Sequence, residues 1–156
     1  MSQQEADTPK LWAPQPVFFF APLVAGLALH FVSPTRFLPT GWVQFAIGAP
    51  IFIPAALLWV QAVGALRAKA DSYFIKSTTA VVTQGPYRFS RNPLYLSDAL
   101  VYIAIAVMVN ALWVLVLTPL FLLLITVGVI VPEERYLERK FGEEYRGYKS
   151  EVRRWL

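Results

Sequence analysis

The residues best suited to chemistry lie in one short stretch, Gly85-Pro86-Tyr87-Arg88-Phe89-Ser90-Arg91-Asn92-Pro93-Leu94-Tyr95-Leu96. Gly85-Pro86 is a turn signal. Asn92 is a good N-cap type and Pro93 suits the first helical position, so a helix is expected to start here. Arg88, Arg91, Tyr87 and Tyr95 then crowd a helix N-terminus, whose unpaired N–H groups and partial positive charge favour an anion. Two readings fit these residues: a small-anion or cofactor site, and a basic membrane-interface loop with aromatic anchors.

Further candidates flank this stretch. Asp98 lies about one turn inside the next apolar run. An acid in that place is costly, so it is a functional candidate; the plainer alternative is that it reaches the headgroup layer or pairs with an arginine. Glu133 and Glu134 come after the last apolar run. Beyond them Leu137, Phe141, Tyr145 and Tyr148 recur at helical spacing, one apolar and aromatic stripe on an otherwise charged helix. That stripe suits a helix lying on a membrane surface, or a lid packed over the loop that begins at Gly85. Gly142 weakens a continuous helix by roughly 1 kcal/mol, so a bend or an end is expected there.

The elements that must position these groups are membrane helices. Apolar residues make up 56% of the 156 residues and charged ones 15%, with mean hydropathy +0.49, the composition of an integral membrane protein. The chain is read as one all-α membrane domain, 1–156. Spans are expected over about 17–32, 41–66, 93–109 and 111–131, allowing for tilt and short spans. A polar lead carrying the interfacial anchor Trp12 precedes them. Ser33–Thr40 is a tight connection, Asn110 marks a helical hairpin, and Pro132 is expected to end the last span. Pro50 and Pro54 should kink the second span, and Gln61 is expected to face the interior and bond to another helix. In the polar connection 67–92, Thr78–Thr83 is β-branched and suits extended backbone.

Charge and composition also exclude. Cysteine is absent, which rules out disulfides and a cysteine nucleophile, and His30 is the single histidine, so no multi-histidine metal site is possible. The net charge of +4 is clustered in loops and reads as a topology signal, not a nucleic-acid face. Arg67, Lys69, Lys76, Arg88 and Arg91 lie in the 67–92 loop, and seven more Lys/Arg lie beyond Glu133, against Arg36 alone in the 33–40 loop. Four spans with both termini cytoplasmic satisfy that asymmetry, and they put both candidate regions on one side of the membrane. No G-x-G-x-x-G comes after a strand, and neither a P-loop nor a G-x-S-x-G motif is present.

The stretch G-P-Y-R-x-S-R-N-P-x-Y-L resembles the signature of the membrane methyltransferases typified by isoprenylcysteine carboxyl methyltransferase and phospholipid methyltransferases. A second block agrees: Glu133-Glu134-x-x-Leu137-x-x-x-Phe141-Gly142-x-x-Tyr145-x-x-Tyr148, closing with Arg153-Arg154-Trp155-Leu156. The two blocks stand in the family's order, and the resemblance covers roughly 78–156. One departure is Asn92, where family members often have histidine.

The resemblance implies an S-adenosylmethionine-dependent methyltransferase with a lipophilic acceptor drawn from the bilayer. It implies cofactor contacts from Gly85, Tyr87, Arg88, Arg91, Asn92, Pro93, Tyr95 and Leu96 in the first block, and from Glu133, Glu134, Tyr145 and Tyr148 in the second. The cofactor's carboxylate suits the Asn92–Pro93 helix end with Arg91 or Arg88. Its adenine suits Tyr145, Tyr148 or Tyr87, and its sulfonium suits Glu133, Glu134 or an aromatic face. For the acceptor two types stay open. A carboxylate, as in an isoprenylcysteine, needs a cation such as Arg153 or Arg154. A phospholipid amine needs a base such as Glu134 or Asp98. A nicotinamide-dependent membrane reductase of related fold, or a non-catalytic membrane adaptor, are the alternatives.

Overall fold

A computed structural model describes residues 9, 11–68 and 80–156. Every regular element among them is helical: α1 (Gln15–Val32), α2 (Trp42–Arg67), a 3-10 turn (Gly85–Arg88), α3 (Pro93–Val109), α4 (Leu112–Ile125), a π turn (Thr126–Ile130), α5 (Val131–Phe141) and α6 (Glu143–Glu151). Lys69, Asp71, Lys76, most of the lead before Trp12 and the Thr78 end of the β-branched run lie outside the described residues. Val81 and Val82, within that run, are buried without forming a strand.

Three helical columns are long and apolar enough to cross a membrane: Gln15–Val32, Trp42–Arg67 and the 30-residue Leu112–Phe141. The fourth apolar helix, Pro93–Val109, is 17 residues long. The third column differs from expectation. Pro132 does not end the last span, because it falls directly after the π turn, whose altered hydrogen-bond pattern lets the helix continue through a residue without an N–H. The column therefore runs unbroken through the π turn into α5, carrying Glu133 and Glu134 on the same rigid rod as the membrane helix. The helix stops instead at Gly142, whose φ of +54° is the left-handed backbone that glycine adopts without strain.

The helices pack in the order α2, α3, α4, α1. Small residues let them approach. A Cβ on Gly48 of α2 would come within 2.3 Å of the Met108 side chain, and one on Gly26 of α1 within 2.9 Å of the Val114 backbone. Ser97 donates to the Ala55 carbonyl at 2.9 Å, a buried link from α3 to α2. The common core holds Tyr102 stacked on Phe121 at 5.0 Å, with Phe19 edge-on to both. Asn110, with φ 57°, closes the α3–α4 hairpin as expected. Its amide also clamps the 33–40 connection, accepting from the Phe37 and Leu38 N–H groups and donating to the Leu38 carbonyl. Phe20, Phe31, Trp42, Ile53, Val60 and Leu123 point outward from the bundle, the surface that lipid tails solvate. Gln61 is exposed on that surface and makes no helix–helix hydrogen bond among the described residues, contrary to expectation. The run of α2 through Pro50 and Pro54 is continuous.

Candidate functional site

The loop before α3 is built backward from a buried turn. Gly85 takes φ +59°, Pro86 and Tyr87 turn inward, and the Phe89 and Ser90 N–H groups bond to the Pro86 carbonyl at 3.1 and 3.2 Å. This presents Ser90, Arg91 and Asn92 in a row at the start of α3. Asn92 occupies the N-cap position, but its side chain makes no capping bond. Its amide donates instead to the Arg154 carbonyl at 3.0 Å, while Ser90 Oγ accepts from the Asn92 N–H at 3.1 Å and donates to the same Arg154 carbonyl. The Arg91 N–H donates to the Arg153 carbonyl at 3.0 Å. The end of the chain is thus bonded along residues 90–92, and the first turn of α3 is left without a side-chain cap.

Glu134 is the hub beneath that seam. Arg154 grips it with Nε at 3.0 Å and Nη2 at 2.8 Å, a bidentate fork. Arg91 Nη1 approaches it at 3.2 Å, with side-chain exposures of 8% for Arg91 and 7% for Glu134. Two guanidiniums share one carboxylate, so the cluster keeps one formal positive charge. The Arg91 Nε is buried and has no hydrogen-bond partner, an open donor that a buried guanidinium does not keep without cost.

Aromatic residues of the tail close the seam. Tyr148 donates to the Tyr87 carbonyl at 2.7 Å, and Tyr145 packs with Tyr148 and Val81 over Leu137, Phe141 and Val152. The stripe read from the sequence is this packed surface. Burial pushes the Tyr145 phenol up to about 12, with the charge of Glu134 adding to the rise and Arg91 opposing it. Burial likewise raises Tyr87 and Tyr148. All three stay neutral donors at physiological pH.

Glu133 points into different company. Tyr95 donates to its carboxylate, with both oxygens at 3.0 Å, and Gln15 Nε2 donates to Oε1 at 2.9 Å. Gln15 Nε2 also lies 2.5 Å from the Tyr95 hydroxyl. Among the described residues no cation belongs to this group. The π turn separates the environments of the core and of α5: one added residue rotates the rest of the rod by roughly 100° relative to an unbroken α-helix.

Of the residues picked from sequence, the fold brings together Arg91, Glu134 and Tyr145, Tyr87 with Tyr148, and Tyr95 with Glu133. Asn92 and Pro93 are buried at the seam. Gly85 and Arg88 are exposed, the Arg153 side chain is exposed and takes part through its backbone, and Leu96 and Asp98 are half-buried without polar partners at this cluster. Gln15 and Ser90 join the cluster although sequence reasoning does not select them. Ser90 lies inside the motif and is legible as a short turn-forming hydroxyl, whereas nothing local to Gln15 signals its partners 80 and 118 residues away. A separate groove of about 390 Å³, lined by Arg135, Glu138, Arg139 and Arg146, opens on the outer face of α5 and α6. It is wide and shares no residue with either glutamate cluster.

A family model described as phospholipid methyltransferase matches residues 43–144. An uncharacterised protein of Haemophilus influenzae is 60% identical over 37 residues, which are 24% of this chain and 59% of that relative. No solved structure matches.

Proposed function

From the premise that this chain belongs to the phospholipid methyltransferase family of membrane methyltransferases, we propose that it methylates a lipophilic acceptor with S-adenosylmethionine as donor. The observation that carries the cofactor assignment is the buried, unpartnered Nε of Arg91 beside the uncapped start of α3. A guanidinium with a free donor next to a helix N-terminus fits a carboxylate. Arg91 and the α3 N–H groups then hold the amino-acid end, and Tyr87, Tyr145 and Tyr148 offer aromatic faces to the adenine. Glu133, whose charge no cation offsets among the described residues, faces the cationic end. The cofactor supplies a methyl group made electrophilic by the sulfonium. What the protein adds is alignment and exclusion of water, to which the bonded tail contributes as a lid.

The acceptor we favour is a phospholipid amine over an isoprenylcysteine-like carboxylate. Arg154 is committed to Glu134, and Arg153 takes part through its backbone with its side chain exposed, so neither guanidinium is placed in the cluster to seat a carboxylate. Glu134 is no base either, because both of its oxygens are already held by guanidiniums. Asp98, half-buried on α3 and without a partner among the described residues, is the base we assign on the membrane side. Topologically, α3 is read as a fourth, short span and both termini as cytoplasmic, supported by the lysines and arginines of the 67–92 loop and the tail. Reporter fusions after residues 38 and 156 should then report opposite sides, and the same side for both refutes that topology.

The cofactor reading is tested by calorimetry in detergent on the full chain. Arg91→Leu should weaken S-adenosylmethionine and S-adenosylhomocysteine about 10- to 100-fold, the worth of a charge-assisted bond. Methylthioadenosine, which lacks the carboxylate, should bind the variant and the parent alike. Equal losses for all three ligands place Arg91 in the fold alone. Wild-type protein that binds NADPH and neither methyl-donor ligand replaces this function with the reductase.

A further inference from the structure

Resting on that cofactor reading, we propose that Gln15, the first residue of α1, is a positioning residue that aims the Glu133 carboxylate, so that the N-terminal helix is part of the site.

Donor and acceptor chemistry fixes the roles of the three groups. An amide nitrogen donates only, so at 2.5 Å the Tyr95 hydroxyl accepts from Gln15 Nε2 and is left to donate its own proton. The Glu133 oxygens, both 3.0 Å away, are where that proton points. The second N–H of Gln15 goes to Glu133 Oε1 at 2.9 Å. One amide thus orients the tyrosine and the carboxylate together. Turning the amide over would set its oxygen against the carboxylate, so the orientation is determined by the partners. Each of these bonds to Glu133 comes from a neutral donor. Such donors hold the carboxylate in place without bringing a cation to it, unlike the guanidiniums on Glu134.

Gln15 is not placed by chance. The Trp12 N–H reaches the Gly128 carbonyl at 3.4 Å, so the approach to α1 is tied to the π turn. Phe18, one turn further on, lies against Gly128 so closely that a Cβ there would meet its ring at 2.6 Å. Contacts on either side of Gln15 therefore fasten it to the segment that carries Glu133. Gln15 lies outside the 43–144 stretch that matches the family model, so the chain supplies this contact from a helix that the match does not include. The chemistry that recognises a sulfonium is an uncancelled negative charge at a fixed place. Gln15 provides the fixing and adds no cation of its own.

The experiment compares affinities for S-adenosylmethionine and S-adenosylhomocysteine, which differ by the positive charge, in the full chain in detergent. Gln15→Leu removes both donors at similar volume. Gln15→Lys keeps a donor but adds a cation that cancels the carboxylate. Both should lower affinity for S-adenosylmethionine about tenfold, roughly one charge-assisted bond. Affinity for S-adenosylhomocysteine should stay within about twofold of wild type, a difference too small to represent a lost bond. A purely structural Gln15 predicts the opposite pattern: Gln15→Lys binds both ligands as wild type does, and Gln15→Leu loses both in step with its melting temperature. Either of those results overturns the proposal while leaving the cofactor reading in place. Wild-type protein that binds neither ligand overturns both. Should Gln15→Leu fail to fold, the Gln15→Lys ratio alone decides.

Discussion

Glu133 and Glu134 are neighbours in sequence and chemically identical, yet the fold gives them opposite surroundings. Glu134 faces the tail, where Arg154 and Arg91 saturate it and Tyr145 covers it. Glu133 faces α1 and α3, where a tyrosine and an amide hold it without offsetting its charge. Adjacent helical positions point about 100° apart, so one rod can serve two environments. The difference assigns two kinds of work. Glu134 is a structural hub that leaves a surplus cation for an anion. On the proposed function, Glu133 is a carboxylate held in place by neutral donors to face the cofactor's cationic end. Pairs of acids separated by environment are how a single site comes to handle both signs of charge.

The strongest way to break this comparison is to remove each carboxylate in turn and monitor thermal unfolding in detergent. Glu134→Leu leaves two guanidiniums facing one another, one of them buried, and should cost about 3–5 kcal/mol, the usual penalty for stranding a buried charge. The tail is expected to come away from residues 90–92, and ligand binding to go with it. Glu133→Leu strands only neutral donors, and those already bond to each other, so about 1–2 kcal/mol is expected. If the two variants melt together, the contrast between hub and free anion is wrong.

Much of this site could be read from the chain, and the exceptions share a physical cause. The start of α3 at Pro93, the stop at Gly142 and the hairpin at Asn110 depend on local backbone preference, which sequence carries directly. All four apolar helices announced themselves by composition, and three of them are long enough to cross a membrane. The end of the last span did not announce itself: Pro132 reads as a stop, but the π turn before it lets the helix continue through a residue without an N–H. Side-chain partners were harder still. That Glu134 is paired with cations and Glu133 with neutral donors depends on Arg154 and Gln15, which come from opposite ends of the chain. Charge patterning located the right loop and the right tail, but it could not tell which guanidinium goes inward. Arg88 and Arg91 look equivalent in sequence, and only Arg91 is buried.

The smallest predicted effect sharpens the comparison most, because it separates two jobs that sequence assigns to the same residue. Asn92 has the type and position of an N-cap, and capping predicts that aspartate serves as well, since the two are nearly equivalent caps. The structure gives its amide to the Arg154 carbonyl instead, at 3.0 Å. Asn92→Asp removes that donor and sets an acceptor against an acceptor, while an added negative charge at the start of α3 favours the helix itself. The tail bond is worth about 1 kcal/mol, so global stability should fall by no more than that. The loss should be local. Limited trypsin digestion after Arg146 and Lys149 should quicken, and affinity for S-adenosylmethionine should fall, because the new carboxylate competes for the place that the cofactor's own carboxylate takes. Unchanged proteolysis and affinity would return Asn92 to the role of a cap, and the tail would then be held by Glu134 and Tyr148 without it.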